Sequence, residues 1–285
     1  MTAPPVDPPG DGPPEGEEGE RHGDGGPPGP GGPEELQGPP SDVGRWVTAA
    51  FLLFPLVAWG LAARLSLPVW DALYLAGLVA LLPILAVAQL PLVEGLRVER
   101  EPAYVGSAVT VGVLGAVAAV LGIRRGGLEG VGLGGVAPET FALWVVGTCL
   151  AAAALVGGLH VLRRAVGIPE SALLRELLPR TGRERRLFVA LSLVAGVGEE
   201  LAFRGYAIPV LAPHMGGAWG AAAFTSVNFG LLHAYQGVFG MVRTACLGFL
   251  LAASFVITGS LWPAVTVHVL LDLVAGLVLG ERLTR

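Results

Sequence analysis

From Trp46 onward the chain is a succession of apolar runs, each near the roughly 20 residues that a helix needs to cross a hydrocarbon core of about 30 Å. Eight such runs fall at about 45–65, 71–93, 102–123, 140–162, 185–204, 216–236, 238–258 and 262–281. In lipid every backbone N–H and C=O must be satisfied within the protein, so runs of this kind fold as helices. The expected fold class is all-α: a polytopic membrane helix bundle of about eight transmembrane helices. Pro55, Pro83 and Pro91 lie inside runs and predict kinks, which neighbouring helices tolerate by re-satisfying the backbone. Trp46, Trp70, Trp144 and Trp262 lie near run ends, where amphipathic rings prefer the membrane interface.

The segment before the first run is of a different kind. Residues 1–43 hold 12 Pro and 11 Gly with no aromatic residue, a composition that cannot bury enough apolar surface to offset its ordering entropy. A disordered acidic tail is expected there, followed by N-terminal transmembrane helices over 44–165 and a chemically distinct membrane region over 166–285. The tail also explains the net charge of −5: residues 1–42 carry ten acids and one Arg, and the remainder 13 acids and 17 Arg. The membrane body is only mildly basic and lacks the clustered basic face that nucleic acid requires. Cys149 and Cys246 lie far apart in apolar runs, with no metal-binding or disulfide pattern around them. Gly130, Gly132 and Gly135 match a dinucleotide-type GxGxxG, but they join two membrane runs instead of a strand to a helix, so a loop is predicted.

Arginine sets the expected orientation. The connection at 163–186 contains Arg163, Arg164, Arg175, Arg180, Arg183, Arg185 and Arg186, and by the positive-inside rule it faces the cytoplasm. Within it, Ser171–Leu178 reads as a short amphipathic surface helix. Eight spans then place both termini in the cytoplasm, in keeping with Arg45, Arg282 and Arg285. Arg124 and Arg125 fall on the other side, against the rule.

Ionisable side chains at bilayer depth cost about 2.5–3.5 kcal/mol each on insertion scales, yet three runs of the last third concentrate them. The first reads Val197-Gly198-Glu199-Glu200-Leu201-Ala202-Phe203-Arg204-Gly205, the second Asn228-Phe229-Gly230-Leu231-Leu232-His233, and the third His268-Val269-Leu270-Leu271-Asp272. Glu200 and Arg204 are four apart and share a helical face, so an ion pair is predicted. Glu199 points about 100° away and is free to face another span as a general base. His268 and Asp272 also share a face, where the carboxylate orients or charges the imidazole. Two histidines beside Glu199 can hold a water, donate to an oxyanion or bind a metal. His160 and His214 stand alone and read as structural. Simple span counting places His233 near the cytoplasmic end of its helix and His268 nearer the outside, so the two meet only if a span is tilted or broken.

The ordered series Glu-Glu-x-x-x-Arg, Phe-x-x-x-His and His-x-x-x-Asn/Asp resembles the CAAX-protease and bacteriocin-processing (CPBP) family, as do Phe203-Arg204-Gly205 and Ser260-Leu261-Trp262-Pro263-Ala264. The resemblance covers about 185–281. It implies an intramembrane endopeptidase, an integral protein of the bacterial cell membrane with membrane lipid and a peptide or membrane-protein substrate as partners. It further implies that Glu199 and His233 activate water while His268 and residue 272 stabilise the oxyanion. Position 272 is Asp where the family usually has Asn. The resemblance admits either a divalent metal such as zinc on Glu199, His233 and His268, or a metal-free glutamate mechanism. A non-catalytic immunity or binding relative, and an ion- or proton-coupled transporter, are the competing readings.

Overall fold

The structure, a computed structural model, describes residues 41–93, 98–168 and 171–279. The expected tail, apart from its last three residues, and Arg282 and Arg285 lie outside the described residues. Those last three residues are helical: the first helix, α1, spans Ser41–Leu65 and starts before the predicted boundary at 43.

The described residues are helical and contain no strand. After α1 come α2 (Val69–Ala76), a π-helical segment Gly77–Leu81, α3 (Leu82–Ala88) and α4 (Leu90–Val93), together the second run. Two long helices follow, α5 (Arg100–Gly130) and α6 (Pro138–Val166), then the short α7 (Ala172–Glu176) inside the predicted surface helix. The last third holds α8 (Gly182–Glu200), a π-helical segment Leu201–Ala207, α9 (Ile208–Leu211), α10 (Ala218–Leu232), α11 (Gly237–Thr258), α12 (Trp262–Leu273) and a terminal π-helical segment Val274–Leu279.

Every predicted run is therefore helical over most of its described residues, but among the described residues only five helices are long and apolar enough to cross a membrane: Val43–Leu65, Val69–Ala88, Arg100–Gly130, Pro138–Val166 and Ala234–Thr258. The other three runs carry the charged motifs. The α8 run contains two Glu and several Arg, and α10 stops after 15 residues, about 22 Å at 1.5 Å per residue. Trp262–Val278 is apolar but short. The expected span 216–236 is thus corrected to a shorter helix that ends at a turn.

Glycine decides how closely the charged runs approach their neighbours. A Cβ on Gly115 of α5 would lie 2.4 Å from the Gly198 Cα of α8, and one on Gly198 would lie 2.6 Å from the Val111 carbonyl oxygen. On another face of α8, a Cβ on Gly196 would lie 2.4 Å from Val269 Cγ2 and 3.4 Å from the Val265 carbonyl oxygen of α12. Small residues of this kind let membrane helices touch backbone to backbone. Arg100 pairs with Glu184 at 3.8 Å, and Arg183 with Glu101 at 3.1 Å, so α5 and α8 begin at the same end and run parallel. This matches the alternation of spans inferred from the Arg-rich connection.

The glycine-rich connection is a loop from Val131 on, Gly130 being the last residue of α5, and it is also packed. Val131 is buried, and its carbonyl oxygen would lie 2.8 Å from a Cβ on Gly205. Gly132, at φ +75°, accepts a 2.8 Å hydrogen bond from the Leu261 N–H. The loop thereby anchors the start of α12 to the segment that follows Glu200.

Candidate active site

Glu200 is the centre of the buried polar cluster. It closes α8 and is fully buried, as is Arg204 in the π-helical turn that follows. Arg204 Nη1 donates to Glu200 Oε1 at 2.9 Å, the pair expected from the i,i+4 spacing. Arg204 Nη2 donates to the Gly248 carbonyl of α11 at 2.7 Å, and the guanidinium lies 4.7 Å from the Phe229 ring centroid. A carboxylate, a carbonyl and an aromatic face thus surround one buried cation, the compensation that a charge in a low-dielectric interior requires. π-Helical turns of this type recur at functional sites.

Glu200 Oε1 also meets His268 Nδ1 at 2.8 Å. This corrects the expected geometry of His268. Asp272 shares its helical face, but Asp272 Oδ2 is 3.9 Å from His268 Nε2, whereas the short bond comes from the neighbouring helix. The reason is the close approach of α12 to α8 at Gly196, one turn before Glu200. Glu200 is therefore not only the partner of Arg204 but also the group that orients His268. With a carboxylate already paired to Arg204, the shared proton sits on Nδ1 and leaves Nε2 to face the other acids.

Glu199 lies off this face, as predicted, with its Oε2 3.6 Å from His268 Nε2. Its side chain retains 16% of its exposure, against none for Glu200. Neither 3.6 nor 3.9 Å is a formed hydrogen bond, so His268 Nε2 is engaged by neither acid.

His233 caps α10 with non-helical backbone (φ −96°, ψ 24°). Its Nδ1 lies 2.8 Å from the Phe229 carbonyl oxygen; a carbonyl only accepts, so Nδ1 carries the proton and Nε2 is the free acceptor. The Phe229 ring stands between the two histidines, 4.8 Å from the His233 centroid and 6.0 Å, edge-on, from that of His268. The depth difficulty met in the sequence is resolved by the early end of α10 and by this ring. His160 and His214 are exposed.

Among the described residues, no group of three or more His, Cys, Asp or Glu side chains is placed to hold a metal ion. Glu200 Oε1 and the Phe229 carbonyl oxygen hold His268 and His233 by Nδ1, which leaves the Nε2 atom of each ring turned away from those partners. Two participants escaped the sequence reading. Phe229 was visible only as a motif letter, and Gly248 as one more glycine in an apolar helix. A Cβ on Gly248 would lie 3.0 Å from Arg204 Nη2 and 3.1 Å from the Phe229 ring, so an isolated glycine inside a span was the available signal.

A family model described as Type II CAAX prenyl endopeptidase Rce1-like matches residues 183–274, about a third of the chain. The match takes in Glu199, Glu200, Arg204, His233, His268 and Asp272. This segment is related to the CPBP membrane proteases, as its motif series implied, and the chain is an integral membrane protein of helices. No curated protein and no solved structure matches the chain.

Proposed function

We propose, from the kinship of residues 183–274 with the Rce1-like endopeptidases, that this chain hydrolyses a peptide bond within the membrane through water activated by Glu199. The observation that carries the reading is the division of labour between adjacent carboxylates. Glu200 is committed through Oε1 to Arg204 and His268, whereas Glu199 is partly accessible and uncommitted. In the proposed reaction Glu199 takes a proton from water while His233 Nε2 accepts the other water hydrogen and aims the oxygen. The hydroxide adds to the carbonyl carbon. His268, as the imidazolium with its Nδ1–H held by Glu200, donates from Nε2 to the oxyanion, as a preorganised donor does in acyl transfer. Asp272 lies beside it and acts in this role as the protonated acid, because an ionised carboxylate would repel the oxyanion. Glu199 then passes its proton to the leaving nitrogen as the C–N bond breaks.

The substrate is a peptide or membrane protein whose scissile bond reaches the hydrocarbon region, with a prenylated CAAX tail as the first candidate. The reaction runs without a metal, so activity persists after treatment with a chelator. The test uses the full-length protein in nanodiscs with a farnesylated CAAX peptide, alongside comparison of membrane proteomes with and without the protein. A released C-terminal tripeptide, or any membrane protein cleaved only when Glu199 is intact, supports the reading. Identical proteomes and an uncut peptide overturn it.

A further inference from the structure

The two arginines that break the positive-inside rule have different fates. Arg125 Nη1 pairs with Asp71 Oδ1 at 3.4 Å, and the buried Asp71 also accepts from Tyr206 Oη at 3.0 Å. Arg125 is thus matched by an acid of α2. Arg124 is exposed and has no partner among the described residues. It stands at the rim of a cavity of about 460 Å³ between α2 and α5, otherwise lined by Trp70, Leu73, Tyr74, Val117 and Leu121.

We propose that this groove is a binding site for an anionic phospholipid, with an acyl chain along Leu73, Tyr74, Val117 and Leu121 and the phosphate on Arg124. Three observations converge. The groove opens on the lipid-facing wall and is apolar along its length. Its one charged liner is an unpaired cation at the end of a span, where headgroups lie. Trp70 is largely exposed beside it, at the level where indole rings mark the interface. Charge complementarity selects an anionic over a zwitterionic lipid. The occupied groove would also reach the catalytic helix, since the Tyr74 ring packs edge-on against Tyr206, 4.9 Å between centroids, just past Arg204.

The test is independent of proteolysis. The purified full-length protein is photolabelled with phosphatidylglycerol carrying a diazirine in its acyl chain, and crosslinked peptides are mapped by mass spectrometry. Crosslinks are expected on the peptides containing Leu73–Tyr74 and Val117–Leu121. The phosphatidylcholine analogue should label them about fivefold less, the factor expected for one Arg contact with an anionic lipid. Arg124→Gln, at an exposed position that leaves the fold intact, should remove that preference at the groove but not at the Arg-rich connection, and Arg124→Lys should retain it. Equal labelling by both lipids, an unchanged preference in Arg124→Gln, or displacement of the label by chain-free glycerophosphoglycerol would each overturn the proposal.

Discussion

The helices that make the wall of this protein and those that make its site obey opposite rules. The helices Val43–Leu65 and Pro138–Val166 are long, apolar and scarcely covered by protein, with 11% of each span's apolar window buried. Their side chains meet lipid, so hydrophobicity and length suffice. The helices around Glu200 are shorter, interrupted by π-helical turns and covered on most sides, and they carry the charges. A charge at this depth persists only where neighbouring helices supply its partners, and those helices come close only where glycine lets them. Polarity at depth and close packing are thus one feature seen twice.

The sharpest way to break the comparison lies within the site itself. Glu199→Gln should leave the thermal transition of the purified protein unchanged and lower cleavage by at least the 10²–10⁴-fold typical of a general base, since the attacking water also loses its orienting charge. Normal turnover in that variant would reverse the assignment of the two carboxylates.

Glu200→Gln should act on the fold first. It leaves a fully buried Arg204 without its counter-charge and replaces the carboxylate that Arg204 and His268 share by a neutral amide, and breaking a buried pair from one side costs about 3–5 kcal/mol. The expected outcome is a lower melting temperature in detergent together with lost activity. Lost activity at unchanged stability would show Glu200 to be the base instead.

The packing rule can be tested by alanine in each region. Gly198→Ala forces a methyl against the backbone of Val111 and should destabilise by about 1–3 kcal/mol or more. Gly60→Ala in α1 meets nothing within 4 Å and should be neutral, or stabilise by up to about 1 kcal/mol through helix propensity. Equal effects in denaturant or heat would remove the distinction between wall and site.

The smallest effect is expected at the mouth of α8. The Thr181 hydroxyl accepts from the Glu184 N–H at 3.1 Å while Glu184 Oε2 accepts from the Thr181 N–H at 2.9 Å, a capping box. Thr181→Ala should cost about 1 kcal/mol. Hydrogen bonds from the backbone N–H groups of Thr181 and Arg180 hold the Glu184 carboxyl below its ordinary value. That contribution is present above the unfolded carboxyl value near 4.3 and disappears as pH falls through the lower folded value. The stability gap between wild type and Glu184→Gln should therefore close in acid, and a gap that widens there would contradict the capping role.

Much of this architecture is written in the chain at the level of periods and composition. Eight apolar runs gave the helices, because lipid leaves the backbone no other way to bond, and the cost of charge at depth singled out the last third. The i,i+4 spacing of Glu200 and Arg204 predicted their ion pair because that contact lies within one helix. The partner of His268 was not legible, because Asp272 is its neighbour along the chain and Glu200 its neighbour across two helices. Nor was the early end of α10, which sets His233 beside Phe229, or the cradle that Gly248 and Phe229 form around Arg204. Local geometry follows from sequence spacing alone; which nitrogen of His268 meets which carboxylate follows from how far α12 approaches α8 at Gly196, and only the tertiary packing sets that distance.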